Sequence, residues 1–274
     1  METYPQAELL DQNMDSLPPQ QPRDQEQDVP SPWQPRDPGR DNDKYQPTVS
    51  GLAPVLEVRS PAPVQRVRPD AAIDKRAARR AFDRAAATYD GVAVLQREMA
   101  TRLLERLDYV RLSPKTILDL GAGTGLAVDD LQRRYRSARV LALDFALAML
   151  RLARRRGSLL RRPSCLCADA EALPLREGGI DFIFSNATLQ WCTDLDRTFA
   201  ELRRVLAPGG LLMFTTFGPD TLRELRTAWA QVDGHGHVSP FLDMHDVGDA
   251  LVRAGFEGPV LDAEYLTLTY ADLG

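Results

Sequence analysis

A chain of 274 residues with 43% hydrophobic side chains and a formal net charge of −5 has room for one large domain or two small ones. No apolar run approaches the ~18–20 residues that a membrane-spanning helix needs, and the first residues lack the basic-then-apolar order of a secretory leader, so the composition points to a cytoplasmic protein and away from a membrane one. The charge is uneven: residues 1–70 hold 12 acids against 7 bases and residues 71–274 hold 27 of each, a neutral balance that argues against a dedicated nucleic-acid binder.

Thirteen of the 20 prolines fall before residue 71, among many Gln and Asp. Such a segment cannot bury enough apolar surface to offset its ordering entropy. The sequence therefore predicts a disordered tail over 1–73 and a folded domain over 74–274. Asp74 is placed to cap a helix. Lys75–Tyr89 is rich in Ala and Arg, with Phe82 and Tyr89 on its apolar side. A second helix is predicted over Val92–Leu107, where Leu95, Met99, Leu103 and Leu107 recur every four residues.

Strands and helices then alternate. Strands are predicted at Thr116–Leu120, Arg139–Leu143, Ser164–Ala168, Ile180–Ser185 and Leu211–Thr216. Helices are predicted at Leu126–Tyr135, Ala146–Arg156, Leu195–Leu206, Thr221–Val232 and His245–Ala254, the last stopped by Gly255. Pro208-Gly209-Gly210 reads as the turn between helix and strand. Val260–Asp262 and Tyr265–Tyr270 read as two last strands. Repeated β-α-β units imply an α/β fold, a doubly wound and mostly parallel Rossmann-like sheet with helices on both faces, here with an N-terminal helical lid. Cys165 and Cys167 alternate on one predicted strand and are expected to pack as small apolar groups. With Cys192 they lack metal spacing, and no metal is expected.

The most informative stretch is Ile117-Leu-Asp-Leu-Gly-Ala-Gly-Thr-Gly125. It reads as a strand, a tight turn and a helix. Its glycines follow a G-x-G-x-G spacing and not the G-x-G-x-x-G of the dinucleotide turn, and Asp119 precedes them. A pyrophosphate favours bare N–H groups at a helix start. An acid beside the turn instead suits a cofactor with a cationic amino-acid end, which suggests S-adenosylmethionine.

Ligands of open α/β sheets bind at the carboxyl ends of the strands, and the polar residues of this chain gather there. Gly121 and Gly123 follow the first strand, Asp144 ends the second, Asp169 follows the third and Asn186 ends the fourth. Glycine amides and Asp119 would meet the methionine end. Asp144 would take the ribose hydroxyls, Asp169 the adenine amino group, and Asn186 would lie beside the transferable methyl. Asp144 and Asp169 read alone serve equally well as helix caps. The ordered set of strand ends is the specific signal.

Residues 117–216 resemble class I S-adenosylmethionine-dependent methyltransferases. The flanks resemble one family among them, the BioC malonyl-acyl-carrier-protein O-methyltransferases of biotin synthesis. The motifs are Phe82-Asp-Arg-Ala-Ala-Ala-Thr-Tyr89 with Leu95-Gln96, Leu189-Gln-Trp-Cys192, Phe214-Thr-Thr-Phe-Gly-Pro-Asp-Thr-Leu-Arg-Glu-Leu225, His237-Val-Ser-Pro-Phe241 and Asp243-Met-His-Asp246. The resemblance covers about 74–274. It implies methylation of the free carboxylate of malonyl-acyl-carrier protein, giving the ester that primes pimelate synthesis for biotin. The acidic tail is outside the family pattern, and the chain is expected to lack the C-terminal helices of that pattern.

A malonyl carboxylate is anionic at pH 7, so no general base is expected. Tyr89 and Trp191 are the candidates for shaping the substrate pocket; Tyr89 reads equally as a core aromatic, and plain core is an open alternative for Trp191. The carrier protein of fatty-acid synthesis is acidic. Arg151, Arg154, Arg155, Arg156, Arg161 and Arg162 are the densest basic cluster that could meet it, or a solvated helix face. His235, His237 and His245 read as loop residues and not as metal ligands. Open alternatives are another small-molecule methyltransferase, a non-methylating relative resembling the arginine hydroxylase of complex I assembly, and an inactive binding module.

Overall fold

A computed structural model describes residues 73–158, 161–233, 237–239 and 241–269. The tail expected over 1–73 falls outside these residues except at Ile73, as do His235 and Tyr270.

Three N-terminal helices, α1 (Lys75–Ala85), α2 (Tyr89–Val92) and α3 (Val94–Glu105), precede the sheet. Asp74 caps α1 by accepting from the amides of Arg76 and Ala77 at 2.9 and 3.0 Å. The predicted first helix is broken by turn residues before Tyr89, and the second tightens into a 3-10 turn at Arg106–Tyr109. The order continues as β1 (Thr116–Leu120), α4 (Val128–Arg134), β2 (Arg139–Asp144), α5 (Leu147–Ala153), β3 (Ser164–Cys167) and β4 (Ile180–Asn186). After a 3-10 turn at Leu189–Trp191 come α6 (Leu195–Val205), β5 (Leu206–Thr215), α7 (Arg223–Trp229) and α8 (Met244–Arg253).

The five strands form one sheet in the order β3-β2-β1-β4-β5, and every pairing is parallel. Parallel neighbours need a crossover on one face or the other, and the period of two in a strand sends alternate side chains to opposite faces. Phe182 and Phe184 of β4 accordingly pack with Ile117, Leu131 and Leu150 in one core. Ile183 packs with Leu118, Phe199 and Leu202 in the other. The strand order reverses between β1 and β4, which sets a crevice above their carboxyl ends.

Three further sequence expectations change. Pro208-Gly209-Gly210 lies inside β5, in a bulge: Ile180 pairs with Leu206 and Phe182 next pairs with Leu211. Residues 261–269 form no strand. Alternating apolar residues make a strand only where a neighbouring backbone supplies the ladder, and this segment is instead held by side chains. Leu261 packs on the core, Arg106 binds Asp262 and Glu264, and Tyr265 donates to Asp220 at 3.1 Å. Cys165 packs against a core cluster, but Cys167 is exposed at the end of the edge strand β3. The stop at Gly255 is present as expected, with φ +83° and the Phe256 amide bonded back to Leu251.

Candidate cofactor cleft

The turn after β1 folds back onto β2. The amides of Gly121 and Ala122 both donate to the Leu143 carbonyl, at 2.8 and 2.9 Å. Gly121 sits at φ +69°, and a Cβ there would lie 2.0 Å from the Thr188 hydroxyl oxygen. Only glycine meets both demands. The Gly123 amide donates to Asp144 Oδ2 at 2.9 Å, and the Ala146 amide to Asp144 Oδ1 at 2.7 Å. Asp144 therefore joins the glycine turn to the start of α5. The amides of Gly121 and Gly123 are already engaged, so what these glycines offer a ligand is the space of a missing side chain. Burial raises the Asp144 pKa, with the nearby Asp83 adding to it, while the Ala146 and Gly123 amides pull it back.

Asp119 is 3% exposed on β1. Its Oδ2 is fully buried and has no hydrogen-bond partner among the described residues. Burial, and then the charge of Asp144, push its pKa to about 7. An unpaired buried carboxyl is costly, and a ligand cation beside it would relieve that cost.

The cleft over the strand ends is lined by Leu120, Gly121, Asp144, Asp169 and Trp191, with Lys75 entering from α1. Gly121, Asp144, Asp169 and Trp191 thus come together, and Asp119 lies one residue behind Leu120. Lys75 was not singled out by the sequence. Its Nζ lies 2.8 Å from both carboxylate oxygens of Asp169 and 2.7 Å from Glu171 Oε1. Burial opposes the Asp169 charge, but the Glu171 amide and the Lys75 ammonium outweigh it and hold the carboxyl below its usual range. Phe82 of α1 closes the same cleft edge-on to Trp191 and Phe145, with centroids 5.2 and 5.8 Å apart. About 30 Å³ remains between lid and sheet, against roughly 300 Å³ or more for a typical ligand site.

Tyr89 and Asn186 stand outside the lining. Tyr89 packs behind Phe82 at 6.3 Å, and burial, then Asp144 and Asp90, raise its pKa. Asn186 donates to the Gln96 carbonyl of α3 at 2.8 Å and accepts from the Thr215 hydroxyl at 2.7 Å. Its amide thereby fastens the lid to the sheet. A second fastening was also missed. Thr124 Oγ1 donates to Asp90 of α2 at 2.5 Å, and Arg156 bonds the other oxygen of Asp90 at 2.6 Å and the Thr124 carbonyl at 3.1 Å. Of the basic cluster, Arg156 is committed here and Arg161 donates to the Tyr135 carbonyl. Arg151, Arg154, Arg155 and Arg162 remain exposed.

No group of three or more potential ligands gathers as a metal site among the described residues. His237 stacks on Trp229 at 4.0 Å and bonds Asp233, and His245 bonds Asp243. No helix among the described residues is long and apolar enough to cross a membrane.

Comparison with known proteins bears on this cleft. Residues 118–214 match the family model for a methyltransferase domain. The malonyl-[acyl-carrier protein] O-methyltransferase of Methylovorus sp. (strain MP688) is 55% identical over 206 residues, covering 73% of this chain and 70% of that one. That of Halorhodospira halophila is 57% identical over 198 residues, covering 72% and 67%. The chain belongs to the malonyl-[acyl-carrier protein] O-methyltransferase family. A third member, from Gallionella capsiferriformans, is 52% identical over 206 residues and 71% covered. Among solved structures, the complex of the Haloferax volcanii Trm112 methyltransferase activator with a methyltransferase contains a chain matching at TM-score 0.53 and 24% identity, over 64% of this chain and 75% of that one. A SAM-dependent methyltransferase from Thermotoga maritima matches at TM-score 0.50 and 21% identity, over 65% and 80%. These two likenesses speak to the fold, the Rossmann-like sheet of the methyltransferases.

Proposed function

We propose that the protein transfers a methyl group from S-adenosylmethionine to the free carboxylate of malonyl-acyl-carrier protein, in the cytoplasm, to form the ester that primes pimelate synthesis for biotin. The observation that carries the reading is the cleft itself, in a chain that more than half matches its malonyl-[acyl-carrier protein] O-methyltransferase relatives residue for residue over the aligned region. The donor set fits S-adenosylmethionine. The buried, unpartnered oxygen of Asp119 suits its ammonium, directly or through water. Each oxygen of Asp144 accepts one amide and keeps capacity for a ribose hydroxyl. Asp169 can accept from the adenine amino group, and a Cβ at Gly121 would intrude on the cleft wall.

The cofactor supplies a methyl group already activated on a sulfonium. The acceptor carboxylate is ionised at pH 7, so the chain need not hold or move a proton in the transfer. Its contributions are alignment, which is worth up to roughly 7–11 kcal/mol in ideal cases, and a dry site under the lid. Phe82 and Trp191 form the apolar wall that excludes water, with Tyr89 behind them. Asn186 acts by holding α3 in place. We assign residues 74–274 to the methyltransferase domain.

The test is intact-mass measurement of malonyl-carrier protein incubated with the protein and S-adenosylmethionine. A gain of about 14 Da that S-adenosylhomocysteine blocks is the outcome expected of a positioned methyl donor. Retained cofactor binding without that gain would reject malonyl-carrier protein as the acceptor.

A further inference from the structure

The lid helix α1 has two faces of different chemistry. Lys75 and Phe82, seven residues apart and so on one side of the helix, turn inward to Asp169 and to Trp191. Asp83 also turns to the body of the protein, accepting from the Ala148 amide of α5 at 2.9 Å. Arg76, Arg80 and Arg84 follow one another at intervals of four; Arg80 and Arg84 lie opposite Lys75 and Phe82, while Arg76 shares the side of Asp83 but stays exposed at the start of the helix. All three are exposed. Asp74 caps the helix and stays within the field of Arg80 and Arg76, and Asp83 is taken by Ala148 with Arg79 at 4.0 Å.

We infer that this outer stripe of α1 is the docking surface for the acidic carrier protein that brings the malonyl group. The inference rests on the functional reading above. Charge complementarity selects the partner class, since like-signed acids on a carrier are drawn to a row of guanidinium groups. Position selects this row over the basic cluster expected from the sequence. The stripe lies on the back of the helix whose inner side meets the cleft through Lys75 and Phe82, so a carrier seated on it stands about one helix diameter, roughly 10–12 Å, from that cleft. In the cluster at 151–162, Arg156 and Arg161 are drawn into internal contacts.

The experiment compares the wild-type full chain with R76E/R80E/R84E, the milder R76Q/R80Q/R84Q, and R154E/R155E. Methyl transfer to malonyl-carrier protein is measured against carrier concentration at two ionic strengths, with S-adenosylmethionine affinity measured separately by calorimetry. The expected result is a rise in KM on the order of tenfold or more for the α1 reversal at low salt. The glutamine variant should rise less, the difference should shrink as salt screens the charges, and kcat and cofactor affinity should hold. A wild-type KM in the α1 reversal overturns the inference, whatever R154E/R155E does. Loss of kcat and cofactor affinity with KM unchanged overturns it too, because the helix then acts as a lid alone. A wild-type chain that binds cofactor but never methylates malonyl-carrier protein refutes the functional reading itself, and the docking surface with it.

Discussion

Replacement of Asp119 by Asn should make the protein more stable and a poorer binder of its cofactor. The carboxyl is buried with one oxygen unpartnered, and its pKa lies at about 7 against an ordinary 3.8. Because the folded pKa is raised, folding takes up a proton between these values. The resulting cost is absent below about pH 4, grows as the pH rises towards 7, and is then constant. A difference of about three units at 1.36 kcal/mol each sets a ceiling of about 4 kcal/mol. The substituted carboxamide carries no charge at any pH. The D119N variant should therefore match the wild type near pH 4 and exceed it at pH 8, by as much as about 10 °C in Tm for a domain of this size. Binding should move the other way. A hydrogen bond to a charged group is worth about 1.5–3 kcal/mol, so the Kd for S-adenosylmethionine should rise roughly 10- to 150-fold. Calorimetric melts of the cofactor-free protein across pH 4–8, paired with titration of the cofactor, measure both. Parallel pH–stability curves for the two proteins would refute the raised pKa. Undiminished affinity in the variant would remove Asp119 from the ammonium site.

Three further outcomes follow from the same geometry. G121A should lose about 2–4 kcal/mol by chemical denaturation, from overpacking against Thr188 and from the left-handed backbone, and T188A on top of it should restore only part, because φ +69° remains. D90N breaks the pairing with Arg156, whose partners are both partly exposed. It should cost about 1 kcal/mol or less in global stability while weakening cofactor affinity severalfold in titration, since it removes the Arg156 tie between α2 and the glycine turn and leaves only the Thr124 bond. Burial pushes the Cys192 thiol up to about 11, leaving a thiolate fraction at pH 8 of about one in a thousand. Alkylation followed by mass spectrometry should therefore mark exposed Cys167 well before Cys192, and equal labelling would contradict the burial.

The parts of this protein that were legible in its sequence are those set by local pattern. The five strands were visible from apolar runs, and the carboxyl ends of the first three brought Gly121, Asp144 and Asp169 together because a parallel sheet presents all its strand ends on one edge. Asp119 was readable as an acid beside the turn. Its missing partner was not, since satisfaction of a buried oxygen depends on everything around it. Lys75 could not be read at all: its partners lie 94 residues away or more, and a lysine in a helix rich in arginine carries no mark of facing inward. The same holds for Asp90, Thr124 and Arg156, three unremarkable polar residues joined only by the fold. Asn186 shows the converse. Its place at a strand end suggested ligand chemistry, and its amide is used by Gln96 and Thr215. The last two predicted strands failed because alternation describes a face, whereas a strand also needs an edge to join.

The lid also has a history during synthesis. The helices that cover the cleft leave the ribosome before the sheet they pack on, yet α1 has no fully buried residue of its own, and eleven residues are too few for a helix to persist alone in water. Lys75 waits for Asp169, and Gln96 for Asn186, separations of 94 and 90 residues. At common elongation rates the delay is roughly 5–20 s. The nascent chain must therefore lay down the sheet as far as β4 while these helices hang loose, and helices made before the sheet complete their contacts after it.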